Sequence, residues 1–133
     1  MTDGKGVPNI IVAEQDLHVS NLIMGTFKME GFLPHQVMTS EDCLAKVKEL
    51  GDKLDAIIID GRLASDRGTM LIVNIRKMNS KAKIFVLAER FEEEHKTRVL
   101  DYGADEFTVK PLSIATLVSK ISMLLLQGTP IKA

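Results

Sequence analysis

Four of the apolar segments in this 133-residue sequence end in, or are followed by, charged residues that could take part in chemistry. The first segment is followed by Glu14-Gln15-Asp16 and the third ends in Asp60. Ala88-Glu89-Arg90 follows the fourth, and Lys110-Pro111 follows the fifth. Carboxylates brought together repel one another unless a cation lies between them. A hard divalent ion such as Mg²⁺, or an ammonium or guanidinium group, meets that need. Charged residues also follow strands simply because the chain leaves the core there, so the pattern alone leaves both interpretations open.

Five apolar segments alternate with helical patterns, and this alternation predicts the elements that position those residues. Strands are predicted at residues 9–13, 34–38, 55–60, 83–87 and 106–109. Helices are predicted at about residues 19–29, 40–50, 70–78, 91–102 and 113–127. Such alternation indicates an α/β fold with a parallel sheet, right-handed crossovers and helices on both faces. In these sheets function gathers at the carboxyl ends of the strands. Acids from two strands and a lysine from a third are therefore expected to face one cleft.

Local signals set several of these boundaries. Gly31 and Gly51 mark helix ends, because glycine takes a positive φ without strain. Thr39 is the predicted N-cap of the second helix, with acids in the first turn. Pro34 lacks a backbone N–H, so it favours an edge position for the second strand.

Composition and charge favour one domain outside the membrane. The chain is 45% hydrophobic and 26% charged, with a formal net charge of -1, so no basic field predicts nucleic-acid or membrane binding. The single cysteine, Cys43, indicates a reducing compartment rather than a disulfide framework. No apolar run approaches the ~18 residues of a membrane span, and the first residues lack the apolar core of a signal peptide. A cytoplasmic location is expected.

From about Pro8 to Leu125 the chain resembles the receiver domain of two-component response regulators. The resemblance rests on several features in one order: the acidic cluster after the first strand, Ile57-Ile58-Ile59-Asp60, Gly68 eight residues later, Gly103-Ala104-Asp105, and Lys110-Pro111. It implies a five-stranded, doubly wound, flavodoxin-like sheet of strand order 2-1-3-4-5. The receiver domain is expected to span residues 8–126, with an N-terminal extension at 1–7 and a tail or linker start at 127–133.

The resemblance also implies roles for residues around Asp60. Asp60 matches the aspartate that accepts a phosphoryl group from a histidine kinase or phosphotransfer protein. Glu14 and Gln15 match the acidic pair that holds Mg²⁺, with Asp60 and the backbone carbonyl of Arg62 as further ligands. Lys110 matches the lysine that contacts the phosphoryl oxygens. A domain of this kind signals rather than acting as an enzyme, apart from self-catalysed phosphorylation and dephosphorylation.

The same resemblance implies a switch. Ala88 matches the position of a hydroxyl, usually Ser or Thr, that follows the phosphate. Phe107 matches an aromatic residue that swings inward when that hydroxyl moves. The acyl phosphate would then bias a two-state face formed by the fourth helix, fifth strand and fifth helix, which a downstream protein or fused output domain would bind.

The sequence departs from the family pattern at three positions. Gln15 replaces a metal-binding acid, which removes charge from the site and predicts weakened Mg²⁺ binding. Ala88 has no hydroxyl to link the phosphate to the switch. Ala64 replaces a proline that is common in the loop after the acceptor, which is a milder change. Asp16 is not expected to restore the lost acid, because adjacent side chains leaving a strand diverge.

Two arginines near Asp60 allow two interpretations. The simpler one is that Arg62 and Arg90 are both solvated loop residues. The sharper hypothesis is that Arg62 turns inward, pairs with Glu14 or Asp60 and substitutes for Mg²⁺ with its guanidinium.

Three functions remain open from the sequence. The first is a phosphorylatable receiver domain, and the second is a pseudo-receiver that uses the same fold for protein interaction, as Gln15 and Ala88 favour. The third is a flavin-binding protein of the same topology, which is disfavoured because the first strand is not followed by a phosphate-binding loop rich in glycine, serine and threonine. The last helix is apolar beyond its core stripe, at Met123 and Leu126, which indicates a homodimer or docked partner there.

Overall fold

The computed structural model describes residues 6–63 and 69–127, where five strands alternate with five helices. The strands are β1 (Asn9–Ala13), β2 (Leu33–Val37), β3 (Leu54–Asp60), β4 (Lys83–Ala88) and β5 (Glu106–Val109). The helices are α1 (Leu17–Met29), α2 (Ser40–Leu50), α3 (Thr69–Met78), α4 (Glu93–Asp101) and α5 (Ile114–Gln127). Every predicted element is present, and no end differs from its predicted position by more than two residues. α4, for example, starts at Glu93 because Glu92 is extended (φ -139°, ψ 120°).

All neighbouring strands are parallel and their order is β2-β1-β3-β4-β5, which confirms the predicted sheet. The central strand β3 separates two apolar layers because successive side chains point to opposite faces. Ile57 and Ile59 pack with α2 and α3 residues on one face. Ile58 packs with α1 and α5 residues on the other face. β2 lies at the sheet edge, as its proline predicts.

Two polar side chains cap the helices that follow β1 and β2. Thr39 Oγ1 accepts a hydrogen bond from Asp42 N at 3.0 Å, as predicted. Asp16 Oδ1 accepts hydrogen bonds from His18 N and Val19 N at 3.0 and 3.2 Å, so it caps α1. This cap holds one carboxylate oxygen of Asp16 at the start of α1.

The loop after β3 lies tightly against β4. Gly61 N donates a hydrogen bond to Leu87 O at 2.7 Å. A Cβ atom at Gly61 would lie 3.1 Å from Leu87 O and 3.3 Å from Ala88 Cα, so a larger residue would push the loop away. This close approach fixes where the chain leaves Asp60. Across the described residues no helix has the length and apolar character needed to cross a membrane.

At the opposite edge of the sheet, Arg76 ties α3 to the loop before β5. Its Nη2 donates to Gly103 O at 2.7 Å and its Nη1 donates to Ala82 O at 2.6 Å. Asp105 accepts from Arg76 Nη2 at 3.0 Å and from Ile84 N at 2.8 Å. The arginine side chain packs against Gly103, whose φ is +127°.

We therefore expect Gly103→Ala to destabilise the fold more than Gly31→Ala. Both glycines have positive φ, so an alanine at either position is strained by about 1–2 kcal/mol. Only at Gly103 would the new Cβ also meet a neighbour, at 2.7 Å from Arg76 Cγ, which adds roughly another 1–3 kcal/mol. Urea unfolding followed by circular dichroism measures both free energies of unfolding. An equal loss in the two variants would contradict the role assigned to the Arg76 contact.

Candidate functional site

Two buried carboxyl groups lie side by side at the carboxyl edge of the sheet. Asp60 ends β3 and is 0% exposed, and Glu14 follows the neighbouring β1 and is 1% exposed. Burial, and then the neighbouring Asp60, raise the pKa of Glu14 to about 7. Burial also opposes ionisation of Asp60, but Glu14, Arg62 and Lys110 together hold the pKa of Asp60 below its usual value.

Two cationic side chains neutralise Asp60. Arg62 donates to Asp60 through its backbone N at 3.1 Å, through Nε at 3.4 Å and through Nη2 at 3.3 Å. Lys110 Nζ lies 3.5 Å from Asp60 Oδ1 and 3.4 Å from Glu14 Oε1. Arg62 Nη2 lies 3.7 Å from Glu14 Oε2. Residues from three strand ends therefore form one charged cluster, as the sequence predicts.

Glu89 joins the two cations from the outside. Its Oε2 lies 3.3 Å from Arg62 Nε and 3.4 Å from Lys110 Nζ. Asp60, Arg62, Glu89 and Lys110 thus form a closed ring of alternating charge. Arg90, in contrast, is 83% exposed and pairs with Glu92 at 3.6 Å. The two arginines therefore differ: Arg62 turns inward and Arg90 faces solvent.

The cluster offers oxygen ligands to a hard cation, but Arg62 already occupies a position beside them. Glu14 and Asp60 supply two carboxylates, and the sequence prediction adds the backbone carbonyl of Arg62. Mg²⁺ is commonly held by one or two carboxylates and several waters, so this donor set is chemically adequate. Gln15 is exposed, and within the described ranges no three His, Cys, Asp or Glu residues group as a metal site. The guanidinium of Arg62 also lies against both carboxylates, so a cation has to compete with it.

Sequence similarity to known proteins identifies the family of this chain. The family model for the response regulator receiver domain matches residues 10–122. The chain belongs to the response regulator receiver domain family. One relative of this receiver domain is the transcriptional regulatory protein PrrA of Mycobacterium leprae, 26% identical over 125 residues, which are 94% of this chain and 53% of PrrA. The chain thus spans about half the length of the curated relatives it matches.

Solved structures show the same fold. A CheY-like receiver domain protein from Methanospirillum hungatei superposes with a TM-score of 0.85 at 21% identity, covering 92% of this chain and 96% of that one. A response regulator from Burkholderia pseudomallei, solved with a phosphorylated aspartic acid, calcium ion and citrate, has a TM-score of 0.76 at 18% identity. That match covers 90% of this chain and 72% of the other.

The expected switch positions of the receiver domain lie on adjacent strands. Ala88 ends β4 and is 2% exposed, and its carbonyl accepts a hydrogen bond from Lys110 N at 2.8 Å. Phe107 lies in β5, half-buried, with its ring edge-on to His95 at a centroid distance of 5.4 Å. Phe91 contacts the same ring of Phe107 at 6.4 Å. Two other family positions, Ala64 and Gly68, lie outside the described residues.

Sequence reasoning missed two residues of this region. His95 is 2% exposed although α4 is polar overall; its spacing of four residues from the buried Val99 was the available signal. For Glu89, the sequence indicates only that it follows β4. Its position at the same sheet edge as Asp60 and Lys110 was a signal, but sequence spacing carries no information on which cations it would contact.

The raised pKa of Glu14 predicts a pH dependence of stability. Between about pH 4.5 and 7 the folded protein holds a proton that the unfolded chain has released, so the free energy of unfolding falls as pH rises through this range. The loss is roughly 3 kcal/mol by about pH 8. Glu14→Gln cannot titrate and is expected to lack this component. Urea unfolding at several pH values compares the two proteins, and parallel stability profiles would contradict the assignment.

Proposed function

We propose that this receiver domain accepts a phosphoryl group on Asp60 and passes the signal on by protein contact. The observation that carries the proposal is the fully buried Asp60 side chain, 3.5 Å from Lys110 Nζ, at the carboxyl edge of a receiver fold. Phosphoryl transfer depends mainly on positioning and charge neutralisation. A nucleophilic carboxylate with an adjacent ammonium group supplies both.

The residues divide the work as follows. An oxygen of Asp60 attacks the phosphorus atom in line, and the donor histidine nitrogen leaves. Lys110 neutralises charge on the equatorial phosphoryl oxygens. Glu14 and Asp60, with the backbone carbonyl of Arg62, would hold Mg²⁺, which supplies further charge neutralisation when bound. Gln15 contributes no carboxylate, so cation affinity is weaker than two adjacent acids would provide.

The switch differs from the usual receiver arrangement. The methyl side chain of Ala88 cannot donate a hydrogen bond to a phosphoryl oxygen. Coupling to Phe107 therefore depends on packing rather than on a moving hydroxyl. The ring of Phe107 already packs edge-on against the buried His95 of α4. A shift of β4 relative to β5 would therefore reach α4 through the contact between Phe107 and His95. The signalling face, formed by α4, β5 and α5, is the surface we propose a partner reads.

The proposed partners lie on both sides of this relay. A histidine kinase or phosphotransfer protein would supply the phosphoryl group in the cytoplasm. A downstream protein or a fused output domain would receive the signal. PrrA, of which the chain spans about half, is a transcriptional regulatory protein, so an output domain that binds DNA fits the family. The receiver domain itself would contact neither nucleic acid nor membrane.

A pseudo-receiver role is the second candidate, because the guanidinium of Arg62 already pairs with Asp60. A bound guanidinium supplies the charge that Mg²⁺ would otherwise supply. In this alternative, the domain holds one conformation and serves as an interaction module without phosphorylation.

Phosphorylation of Asp60 separates the two candidates. Incubation with acetyl phosphate and Mg²⁺ is expected to add the mass of one phosphoryl group, in a form that hydroxylamine removes. Asp60→Asn abolishes this addition because the nucleophile is lost. Asp52→Asn, which removes an exposed acid of the same type, leaves it unchanged. An unmodified wild-type protein under these conditions would overturn the phosphoacceptor proposal and support the pseudo-receiver.

The end of α5 carries the proposed dimer contact. Met123 and Leu126 are 60% and 83% exposed, and large apolar side chains at such exposure favour contact with another protein. We expect Leu126→Lys to weaken self-association of the protein at least tenfold, because it places a charge in an apolar contact. Sedimentation equilibrium measures this change. Leu22→Lys is the matched control on α1, where Leu22 is 52% exposed; equal effects of the two variants would contradict the assignment to α5.

A further inference from the structure

One guanidinium in the site contacts two acids that differ sharply in burial. Arg62 Nε lies 3.4 Å from Asp60 Oδ1 and 3.3 Å from Glu89 Oε2. Asp60 has no exposed surface, whereas the side chain of Glu89 is 48% exposed and that of Arg62 is 42% exposed. Arg62 therefore lies at the rim of the site, between an inner and an outer carboxylate.

A divalent cation at Glu14 and Asp60 cannot share this position with the guanidinium. Arg62 Nη2 lies 3.3 Å from Asp60 Oδ2 and 3.7 Å from Glu14 Oε2, between the carboxylates that would bind the cation. Two positive groups at such separations repel each other, even near a protein surface. Entry of the cation therefore requires the Nη2 end of Arg62 to leave.

Glu89 offers the guanidinium a second partner without a large movement. Arg62 Nε already contacts Glu89. A rotation of the guanidinium about this contact would therefore replace its pairing with Asp60, the inner acid, by a pairing with Glu89, the outer one. Lys110 Nζ, 3.4 Å from Glu89 Oε2, holds the outer carboxylate over the site. An arginine that exchanges one carboxylate for another keeps an ion pair, whereas one released into water loses it.

We propose that Glu89 is a positioning residue that receives Arg62 when a divalent cation enters, so that Arg62 is a two-position gate on the Asp60 site. The inference rests on the proposed cation site and adds a mechanism for its regulation. In the inner position Arg62 neutralises Asp60 and excludes the cation. In the outer position it pairs with Glu89 and leaves both inner carboxylates free.

A double-mutant cycle on cation binding tests the gate. Isothermal titration calorimetry with Mn²⁺ measures the dissociation constant of wild type, Arg62→Gln, Glu89→Gln and the double variant. Arg62→Gln removes the competing cation and is expected to tighten binding about tenfold. Glu89→Gln removes the outer acceptor and is expected to weaken binding about fivefold in the wild type. In the Arg62→Gln background the same change should weaken binding less than about twofold, because only its charge effect remains.

The outcomes against the gate are equally specific. If Glu89→Gln changed the Mn²⁺ dissociation constant by the same factor in both backgrounds, Glu89 would act only through its charge and not through Arg62. That result would overturn the proposal. An unchanged affinity in Arg62→Gln, or no Mn²⁺ binding by that variant, would overturn it as well. Glu93→Gln removes an exposed acid at the start of α4 and is the matched control; it should change the affinity by less than about twofold.

A second measurement follows the arginine directly. The Arg62 Nε–H resonance of the wild type should shift on Mg²⁺ addition and keep its protection from solvent exchange, because the group stays paired with Glu89. In Glu89→Gln that protection should be lost on metal addition. These readouts do not depend on phosphorylation. If the effects of the Arg62 and Glu89 substitutions on cation binding are coupled but the protein takes no phosphoryl group, only the phosphoacceptor proposal is overturned. If the protein is phosphorylated but the two effects are independent, only the gate is overturned.

Discussion

A carboxylate buried at the end of the central strand is the constraint on which the rest of the site depends. Asp60 has no solvent contact, and an unpaired charge in that environment costs several kcal/mol. The fold meets this cost with one local cation, Arg62, and one distant cation, Lys110. The neighbouring Glu14 adds no second negative charge below about pH 7, because its pKa is raised to about that value.

The same neutralisation limits the chemistry of the site. Balanced charge keeps Asp60 ionised and stable, but it also reduces the attraction of the site for a divalent cation. Gln15 acts in the same direction, because it supplies no charge where an acid would. The site thus combines two buried carboxyl groups with an internal cation, Arg62, that competes with any bound metal, and Glu89 contacts both cations of the site.

Packing and backbone contacts, rather than a side-chain hydrogen bond, link the end of β4 to its surroundings. With alanine at position 88, the carboxyl end of β4 is linked to its surroundings through the backbone bond from Lys110 and the close approach of Gly61. Phe107 and His95 then connect β5 to α4. In the proposed relay, a backbone shift in β5 would move the half-buried ring of Phe107 against the buried His95 of α4, because close-packed interiors resist continuous deformation.

Local patterns in the sequence are sufficient to predict the elements, their parallel arrangement and the set of residues at the carboxyl edge. These patterns are the apolar segments, the helical spacing, the glycine at position 31 and the residue type that ends each strand. They do not predict that Arg62 turns inward while Arg90 does not, that Glu89 bridges two cations or that His95 is buried. These orientations depend on charges and rings that folding brings together from distant segments. Lys110 and Glu14, which are 96 residues apart, illustrate this.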